Sequence, residues 1–186
     1  MPLQLGDAAP TLSLPNYTGA SVEIASLWRE RPLVLVFVRH AGCPLCRAHS
    51  AELRDERDQF EAAGANVALV AMGNPSQVSQ FREFNHLPFE CLADEKQIAY
   101  KAYGIPRGNM SQIAGPSVWL AGFQSIWKHG AGAIIGDKYQ LPGTVIVDTT
   151  GKVRFVYQGR DSSDWPTNEA LLNALSDLKK ANGVGV

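Results

Sequence analysis

Apolar and polar residues follow one another in blocks that predict alternating strands and helices. The run Leu33–Val38 is continuously apolar, which is typical of a strand buried on both faces of a sheet. Apolar residues then recur along one side of residues 44–63, with Pro44 suited to a first helical turn and Gly64 to a helix end, so one long helix is predicted there. The same patterns predict further strands at 11–14, 21–24, 67–72, 89–92, 144–147 and 153–157, and helices at 73–84, 95–103 and from 165 onwards.

This order of elements predicts an α/β domain with a mixed central sheet and helices on both faces. The chain of 186 residues fits a single domain, residues 1–186, with an insertion at about 105–140 before the C-terminal hairpin. The insertion carries little charge and has apolar residues at helical spacing, namely Val118, Trp119, Leu120, Phe123, Ile126 and Trp127. Two interpretations stay open: an inserted helix that packs on the core, or an exposed apolar patch for a dimer partner or a substrate.

Composition narrows the class of protein. Hydrophobic residues make up 45% of the chain, and 17 basic against 18 acidic residues leave a formal charge of −1. This balance gives no electrostatic reason to expect nucleic acid or an anionic membrane surface as a partner. The first residues show no basic segment followed by an apolar one, and no apolar run approaches the length of a membrane span. We therefore expect a soluble cytoplasmic protein, and we expect no cofactor.

The candidate chemistry lies in the segment Cys43-Pro44-Leu45-Cys46, which follows closely behind the apolar run. Two cysteines separated by two residues can close a disulfide on the first turn of a helix. The helix N-terminus also stabilises a thiolate, through its unpaired N–H groups and the positive end of its dipole. Reversible thiol–disulfide chemistry is therefore predicted, with Cys43 as an exposed attacking thiol of lowered pKa and Cys46 as the shielded second thiol.

Four neighbouring positions bear on this prediction. Arg39, His40 and Arg47 are placed to add positive potential near the cysteines, unless they are ordinary surface residues. Pro142 directly precedes a predicted buried strand, and an X–Pro bond there can be cis and expose backbone to an extended partner. Arg39 and Pro142 are therefore the candidate substrate-binding residues. A third cysteine, Cys91, is expected to be a small hydrophobic residue of the core.

Several segments resemble a known family. The strand at 33–38, the Cys43–Cys46 turn with its helix, and Pro142 before the hairpin resemble the thioredoxin fold. Leu5–Pro10, the stretch from Ala93 to Gly104 and the ending Val145–Val153 resemble more specifically the peroxiredoxin superfamily of alkyl hydroperoxide reductases and thiol-specific antioxidant proteins. Val36–His40 followed by C-x-x-C is similar to the peroxiredoxin-like antioxidant branch. The resemblance covers most of the chain outside the insertion, and it implies a thioredoxin-like fold with antioxidant thiol chemistry.

The chain also departs from that family's pattern. Peroxiredoxins carry P-x-x-x-T-x-x-C, and in register with it the proline is Arg39 here, the threonine is Cys43 and the peroxidatic cysteine is Cys46. The family's arginine falls at Pro142. In the family, the hydroxyl of that threonine and the guanidinium of that arginine stabilise the charge that develops as peroxide is cleaved. The loss of both groups here predicts weak peroxidase activity. The resemblance would make Cys46 the attacking residue in a peroxidase, whereas the helix position favours Cys43 for disulfide exchange, and both assignments stay open.

The sequence as a whole predicts an antioxidant thiol–disulfide oxidoreductase that cycles Cys43 and Cys46 between dithiol and disulfide. The expected substrate is a protein disulfide or a peroxide, the expected reductant is an external thiol of thioredoxin or glutathione type, and a homodimer is possible. Two alternatives remain, a thiol peroxidase acting through Cys46 and a non-catalytic binding module. A zinc site at Cys43, Cys46 and His49 is disfavoured because no second pair of ligands is apparent, and we predict no metal.

Overall fold

The computed structural model describes residues 3–40, 42–115 and 136–181, together with residues 118, 125 and 183. The strands are β1 (Ser13–Pro15), β2 (Ser21–Glu23), β3 (Leu33–Val38), β4 (Asn66–Ala71), β5 (Glu90–Ala93), β6 (Gly143–Val147) and β7 (Val153–Gln158). The helices are a 3-10 helix (Ile24–Trp28), α1 (Pro44–Asp55), α2 (Arg57–Ala62), α3 (Pro75–Phe84), α4 (Ile98–Ala102), α5 (Met110–Ala114) and α6 (Asn168–Ala181).

The central sheet has the strand order β5-β4-β3-β6-β7. Strands β3, β4 and β5 run parallel, whereas β6 is antiparallel to β3 and β7 is antiparallel to β6. Strand β3 lies in the middle, and each of its six residues is buried, as expected for a strand covered on both faces. Its carboxyl end leads directly into the cysteine turn, so the middle of the sheet positions that turn.

Helices cover both faces of the sheet because successive residues of β3 point to opposite sides. Val34, Val36 and Val38 pack with buried residues of α1, α2, α3 and α6. Leu33, Leu35 and Phe37 pack with the 3-10 helix and α4. The predicted α/β class, with a mixed sheet between helices, is confirmed. Within the described part of the chain, no helix is long and apolar enough to cross a membrane.

Two predicted helices differ from the structure. The single helix predicted over 44–63 is divided into α1 and α2 at Glu56, whose φ of −105° and ψ of 15° leave the helical region. No side chain between residues 54 and 59 is buried, so no packing holds this part of the backbone in one continuous helix. Helix α4 is shorter than predicted because the Asp94 carboxylate accepts the backbone N–H groups of Ile98 and Ala99, at 2.8 and 2.7 Å, and so defines its first turn.

Half of the predicted insertion at about 105–140 lies outside the described residues. Its described part includes α5, which begins with a capping box between Asn109 and Gln112. Val118 is partly buried and packs against the core on the α1 side of the sheet. The other apolar positions of the predicted segment, residues 119, 120, 123, 126 and 127, fall among those that are not described. Whether the segment is core or interface therefore stays a prediction.

Candidate active site

The two cysteines lie at the start of α1, at the carboxyl end of the central strand. Cys43 is the residue that precedes the helix, with extended backbone angles, and Pro44 is the first helical residue. The Cys43 N–H donates to the His40 carbonyl at 3.0 Å, which closes the turn between β3 and α1. Cys46 is fully buried, so its predicted shielding is confirmed. Cys43 is only 2% exposed, which differs from the exposed thiol we expected.

The environments of the two thiols move their pKa values in opposite directions. A hydrogen bond from the Cys46 thiol, the Arg39 guanidinium and the backbone N–H groups of the first helical turn lower the pKa of Cys43 to about 6, against the opposing effect of burial. Burial raises the pKa of Cys46 well above its usual range, and the negative charge of Cys43 adds to the effect. At neutral pH the pair therefore consists of a Cys43 thiolate and a protonated Cys46.

Arg39 is the cation nearest to this thiolate. It directly follows β3, is 5% exposed, and places Nη1 at 3.5 Å from the Cys43 sulfur. Its Nε donates to the Gln140 carbonyl and its Nη2 to the Lys138 carbonyl, both at 2.8 Å. Its backbone N–H donates to the Cys46 sulfur at 3.3 Å. The guanidinium that is absent at Pro142 is thus supplied from another position, and it faces Cys43 rather than Cys46.

The other two predicted cations differ from Arg39. Burial lowers the pKa of His40 to about 4, with further contributions from Arg39 and Arg47, so His40 is neutral at pH 7 and adds no positive potential. Its Nδ1 is buried without a hydrogen-bond partner. Arg47 is partly exposed, and its guanidinium lies 4.0 Å from the centre of the Phe84 ring. Arg39 is therefore the member of this group whose guanidinium contacts the Cys43 sulfur, while Arg47 acts on Cys43 through its charge.

Pro142 lies at the start of β6, the strand beside β3. It is buried, its peptide bond is trans, and its carbonyl accepts the Gly159 N–H at 2.9 Å. The next residue, Gly143, pairs with Phe37 of β3. The possibility of a cis bond is not realised, and the substrate-binding role of Pro142 stays a prediction.

Gln140 is a site residue that the sequence analysis did not identify. Its side-chain amide donates to the carbonyls of Pro106 at 2.9 Å and Leu141 at 3.1 Å, and its Oε1 accepts from Gln97 at 3.1 Å. These bonds fix the backbone segment whose carbonyls hold Arg39. No periodicity or motif marks this glutamine, because Pro106 and Gln97, two of its hydrogen-bond partners, are more than thirty residues away along the chain.

The remaining candidates lie apart from the reacting atoms. His49, on α1, stacks on Trp165 with ring centroids 4.2 Å apart, and burial lowers its pKa. Among the described residues, no group of three or more histidine, cysteine, aspartate or glutamate side chains is arranged to hold a metal ion. Cys91 is fully buried in β5, and burial raises its pKa to about 12. The prediction that Cys91 belongs to the core is confirmed.

A mixed sheet whose central strand leads at its carboxyl end into a C-x-x-C turn at a helix start defines the class of thioredoxin-fold thiol oxidoreductases. Residues 5–156 match the model of the AhpC/TSA family, and the chain belongs to that family. It is accordingly an enzyme of peroxiredoxin-like type. The family membership and fold that the sequence motifs indicated are thereby confirmed.

Individual relatives agree with this assignment. The thioredoxin-like protein AAED1 of Arabidopsis thaliana, a chloroplastic protein, is 26% identical over 181 residues, covering 90% of this chain and 71% of that protein. The prostamide/prostaglandin F synthase of Danio rerio is 32% identical over 164 residues, covering 85% of this chain and 81% of that protein. The crystal structure of peroxidoxin BcpB from Mycobacterium tuberculosis superposes with a TM-score of 0.70 at 20% identity, covering 99% of each chain, and it supports the fold.

Proposed function

We propose that the protein is an antioxidant thiol oxidoreductase that cycles Cys43 and Cys46 between a dithiol and a disulfide. The observation that carries this proposal is the asymmetry of the two thiols. Cys43 has a pKa lowered to about 6 and contacts the Arg39 guanidinium, whereas the neighbouring Cys46 thiol has a raised pKa. A thiolate beside a protonated thiol is the arrangement that a two-cysteine cycle requires at its start.

Cys43 is the attacking residue in this proposal. Its thiolate attacks the terminal oxygen of a peroxide, the O–O bond breaks, and Cys43 becomes a sulfenic acid, while the departing alkoxide or hydroxide takes a proton from water. The Arg39 Nη1 group, 3.5 Å from the sulfur, stabilises the negative charge on the departing oxygen. Cys46 then attacks the Cys43 sulfur, water leaves, and the disulfide forms. The same Cys43 thiolate opens a protein disulfide when one is the substrate.

The alternative, in which Cys46 attacks first, is less well supported. Its sulfur is fully buried, and its raised pKa leaves it protonated at neutral pH. The sulfur accepts the backbone N–H of Arg39, while the guanidinium of the same residue faces Cys43. A nucleophile needs both its anionic form and a cation near the leaving group, and Cys43 has both.

An external thiol of thioredoxin or glutathione type would return the disulfide to the dithiol. The proposal also includes a homodimer of this chain. Neither the reductant nor a second copy is needed for the first turnover. The first turnover can therefore be tested on the reduced chain alone, and repeated turnover is tested with an external thiol added.

The test is peroxide consumption by wild type, Cys43→Ser and Cys46→Ser, with an external thiol as reductant. We expect Cys43→Ser to lose at least a hundredfold in rate. In a separate incubation of the reduced protein without the external thiol, Cys46→Ser should consume one equivalent of peroxide and accumulate a sulfenic acid at Cys43 that dimedone traps. Cys91→Ala is the matched control, since it removes a buried thiol away from the turn, and it should stay within twofold of wild type. Activity retained in Cys43→Ser and lost in Cys46→Ser would reverse the two roles.

The binding-module hypothesis makes a different forecast. A module that only binds would keep its partners when both cysteines are replaced by serine, and its cysteines would form no disulfide on mild oxidation. Mass analysis after treatment with one equivalent of hydrogen peroxide measures this directly. A loss of two mass units within the peptide that holds both cysteines supports the redox cycle, and its absence supports the binding module.

A further inference from the structure

Arg39 is a buried cation without a carboxylate partner. Its side chain is 5% exposed, and none of the ion pairs between described residues includes it. Two of its three nitrogens donate to the carbonyls of Gln140 and Lys138, which are neutral groups. The burial of an unpaired charge is costly, so the site needs an anion that these contacts do not supply.

The third nitrogen of Arg39 points to that anion. Nη1 lies 3.5 Å from the Cys43 sulfur, whose thiolate is a monovalent negative charge. The two carbonyl contacts hold the guanidinium in this orientation, and the Gln140 side chain fixes the segment that provides them. The reduced site is therefore a buried, hydrogen-bonded ion pair between Arg39 and Cys43.

Among the described groups around this pair, Arg47 carries a charge, whereas His40, Cys46 and Tyr100 are neutral. Neutral His40 follows Arg39 in the chain, and Cys46 on α1 stays protonated. On the opposite face of the sheet, the Tyr100 hydroxyl of α4 lies within hydrogen-bond distance of the carbonyls of Val38 and Val70. Burial raises the pKa of this hydroxyl, so it stays un-ionised. Arg47 on α1 adds positive charge from a partly exposed position. Formation of the disulfide therefore removes the negative charge of Cys43 and leaves the Arg39 guanidinium bonded, among the described residues, to the neutral carbonyls of Gln140 and Lys138.

We propose that Arg39 is the counter-ion of the Cys43 thiolate and thereby makes the Cys43–Cys46 disulfide an oxidant, which accepts electrons from a dithiol rather than reducing protein disulfides. This inference rests on the proposed two-cysteine cycle and narrows it to a peroxide as the oxidant and a dithiol as the reductant, so that the protein-disulfide substrate named above is excluded. The reduced form is stabilised by the ion pair, and a couple whose reduced form is stabilised has a more oxidising potential. The oxidising equivalents come from the peroxide of the first half-reaction.

The exchange step balances as follows. One thiolate of the dithiol attacks the Cys43 sulfur, the Cys43–Cys46 bond breaks, and Cys46 leaves and takes a proton. The second thiolate of the dithiol then attacks the first sulfur of the same dithiol, which is bonded to Cys43 in the mixed disulfide, and releases Cys43 as a thiolate beside Arg39. Two electrons pass to the cysteine pair, and the dithiol becomes a disulfide. A leaving thiol of low pKa departs faster, so Arg39 accelerates the release as well as shifting the equilibrium.

The experiment is a redox titration of the full chain in glutathione buffers, with acid quenching, alkylation and mass analysis. We expect the wild-type disulfide to be half reduced within the range of these buffers. Arg39→Met should make it about tenfold harder to reduce, which is a potential lower by about 30 mV. The same variant should raise the pKa of Cys43, followed by thiolate absorbance at 240 nm.

Two further variants separate charge from structure. Arg39→Lys keeps the charge but loses the pair of hydrogen bonds to the Gln140 and Lys138 carbonyls. It should give a reduction potential and a Cys43 pKa between those of wild type and Arg39→Met. Arg57→Met removes an exposed cation from α2 and should change neither quantity. If Arg39→Met fails to fold by circular dichroism, the wild-type potential and the Arg39→Lys variant decide the question.

The outcomes distinguish this inference from the proposed function. If the disulfide forms but survives the whole glutathione range, the couple is a reductant and the inference is wrong, while the cycle stands. Equal potentials for wild type, Arg39→Lys and Arg39→Met would also overturn it. If peroxide produces no Cys43–Cys46 disulfide at all, the proposed function itself fails.

Discussion

Two buried regions of this protein each hold a cysteine, and they shift the pKa of its thiol in opposite directions. At the start of α1, Cys43 is 2% exposed and its pKa is lowered to about 6. In β5, Cys91 is fully buried and its pKa is raised to about 12. Burial alone raises the pKa of a thiol, so burial cannot explain the difference between the two regions.

The difference lies in the groups that face each sulfur. Cys43 receives a hydrogen bond from Cys46, backbone N–H groups of a helix start, and the guanidinium of Arg39. Cys91 packs among apolar side chains of the core, and the carbonyl of Phe89, 3.6 Å from its sulfur, is an acceptor that favours the protonated thiol. A reactive cysteine in this fold therefore depends on donors and a cation, and not on exposure.

The strongest test of the difference between Cys43 and Cys91 is selective alkylation of the reduced protein at pH 7. Cys43 should react with iodoacetamide at least about a hundredfold faster than Cys91, because only the thiolate is nucleophilic. Peptide mapping over time measures both rates in one sample. In concentrated urea the ratio should fall close to one, since both thiols then have ordinary pKa values. Equal rates in the folded protein would contradict the assignment of a thiolate to Cys43.

The second test concerns stability and pH. The unfolded chain holds the Cys43 proton up to a pKa of about 9, while the folded chain releases it near 6, so the unfolded state binds more protons between these values. The free energy of unfolding of the reduced protein should therefore rise by up to about 1.4 kcal/mol per pH unit from pH 6 to 9, and it should lose this contribution as the pH falls through 6.

Urea unfolding of wild type and Cys43→Ser at several pH values isolates this contribution. The difference between the two proteins should grow over that interval, since His40 titrates below it in the folded state and the pKa values of Cys46 and Cys91 are raised out of it. A difference that does not change with pH would show that Cys43 is not ionised in the folded protein.

A smaller effect is expected from the other region. Cys91→Ala should lower the free energy of unfolding by about 1 kcal/mol, because it removes one buried sulfur and leaves a small cavity. Thermal or urea unfolding measures the loss, and the potential of the Cys43–Cys46 pair should stay unchanged. A shifted potential would mean that the two regions are coupled and that Cys91 is more than core.

The smallest expected effect is that of salt. Arg39 and Cys43 are both buried, so an increase from 0.1 to 0.5 M KCl should change the pKa of Cys43 by less than roughly 0.3. A surface cation would be screened far more strongly. A larger change, followed by absorbance at 240 nm, would assign the lowered pKa to Arg47 rather than to Arg39.

Much of the fold could be predicted because its signals are local. The apolar run at 33–38 marks the central strand, and Pro44 marks the start of the helix that follows it. The boundary errors have physical causes that patterns do not contain. Asp94 delays the start of α4 through hydrogen bonds to Ile98 and Ala99, and the unburied stretch from residue 54 to 59 divides the helix predicted over 44–63.

The chemistry of the site was predicted only in part. Cys43 and Cys46 follow from their spacing behind a strand, and Cys43 follows as the better nucleophile from its place at the helix start. Register with the family pattern indicated that a guanidinium was lost at Pro142, and only the structure brings Arg39 to the Cys43 sulfur in its place. The burial of Cys43 was not predicted, because exposure depends on segments that are distant along the chain.

The amino-acid sequence by itself determined the α/β order, the redox-active pair and the family, since each depends on residues that are close neighbours or on their order. The tertiary structure buried Cys43 and placed the Arg39 guanidinium at its sulfur. That placement rests on Gln140 and Lys138, about a hundred residues after Arg39, whose carbonyls aim its guanidinium at Cys43. Long-range backbone contacts of this kind leave no periodic signal, and they add to the asymmetry that the helix start and the hydrogen bond from Cys46 give the two thiols.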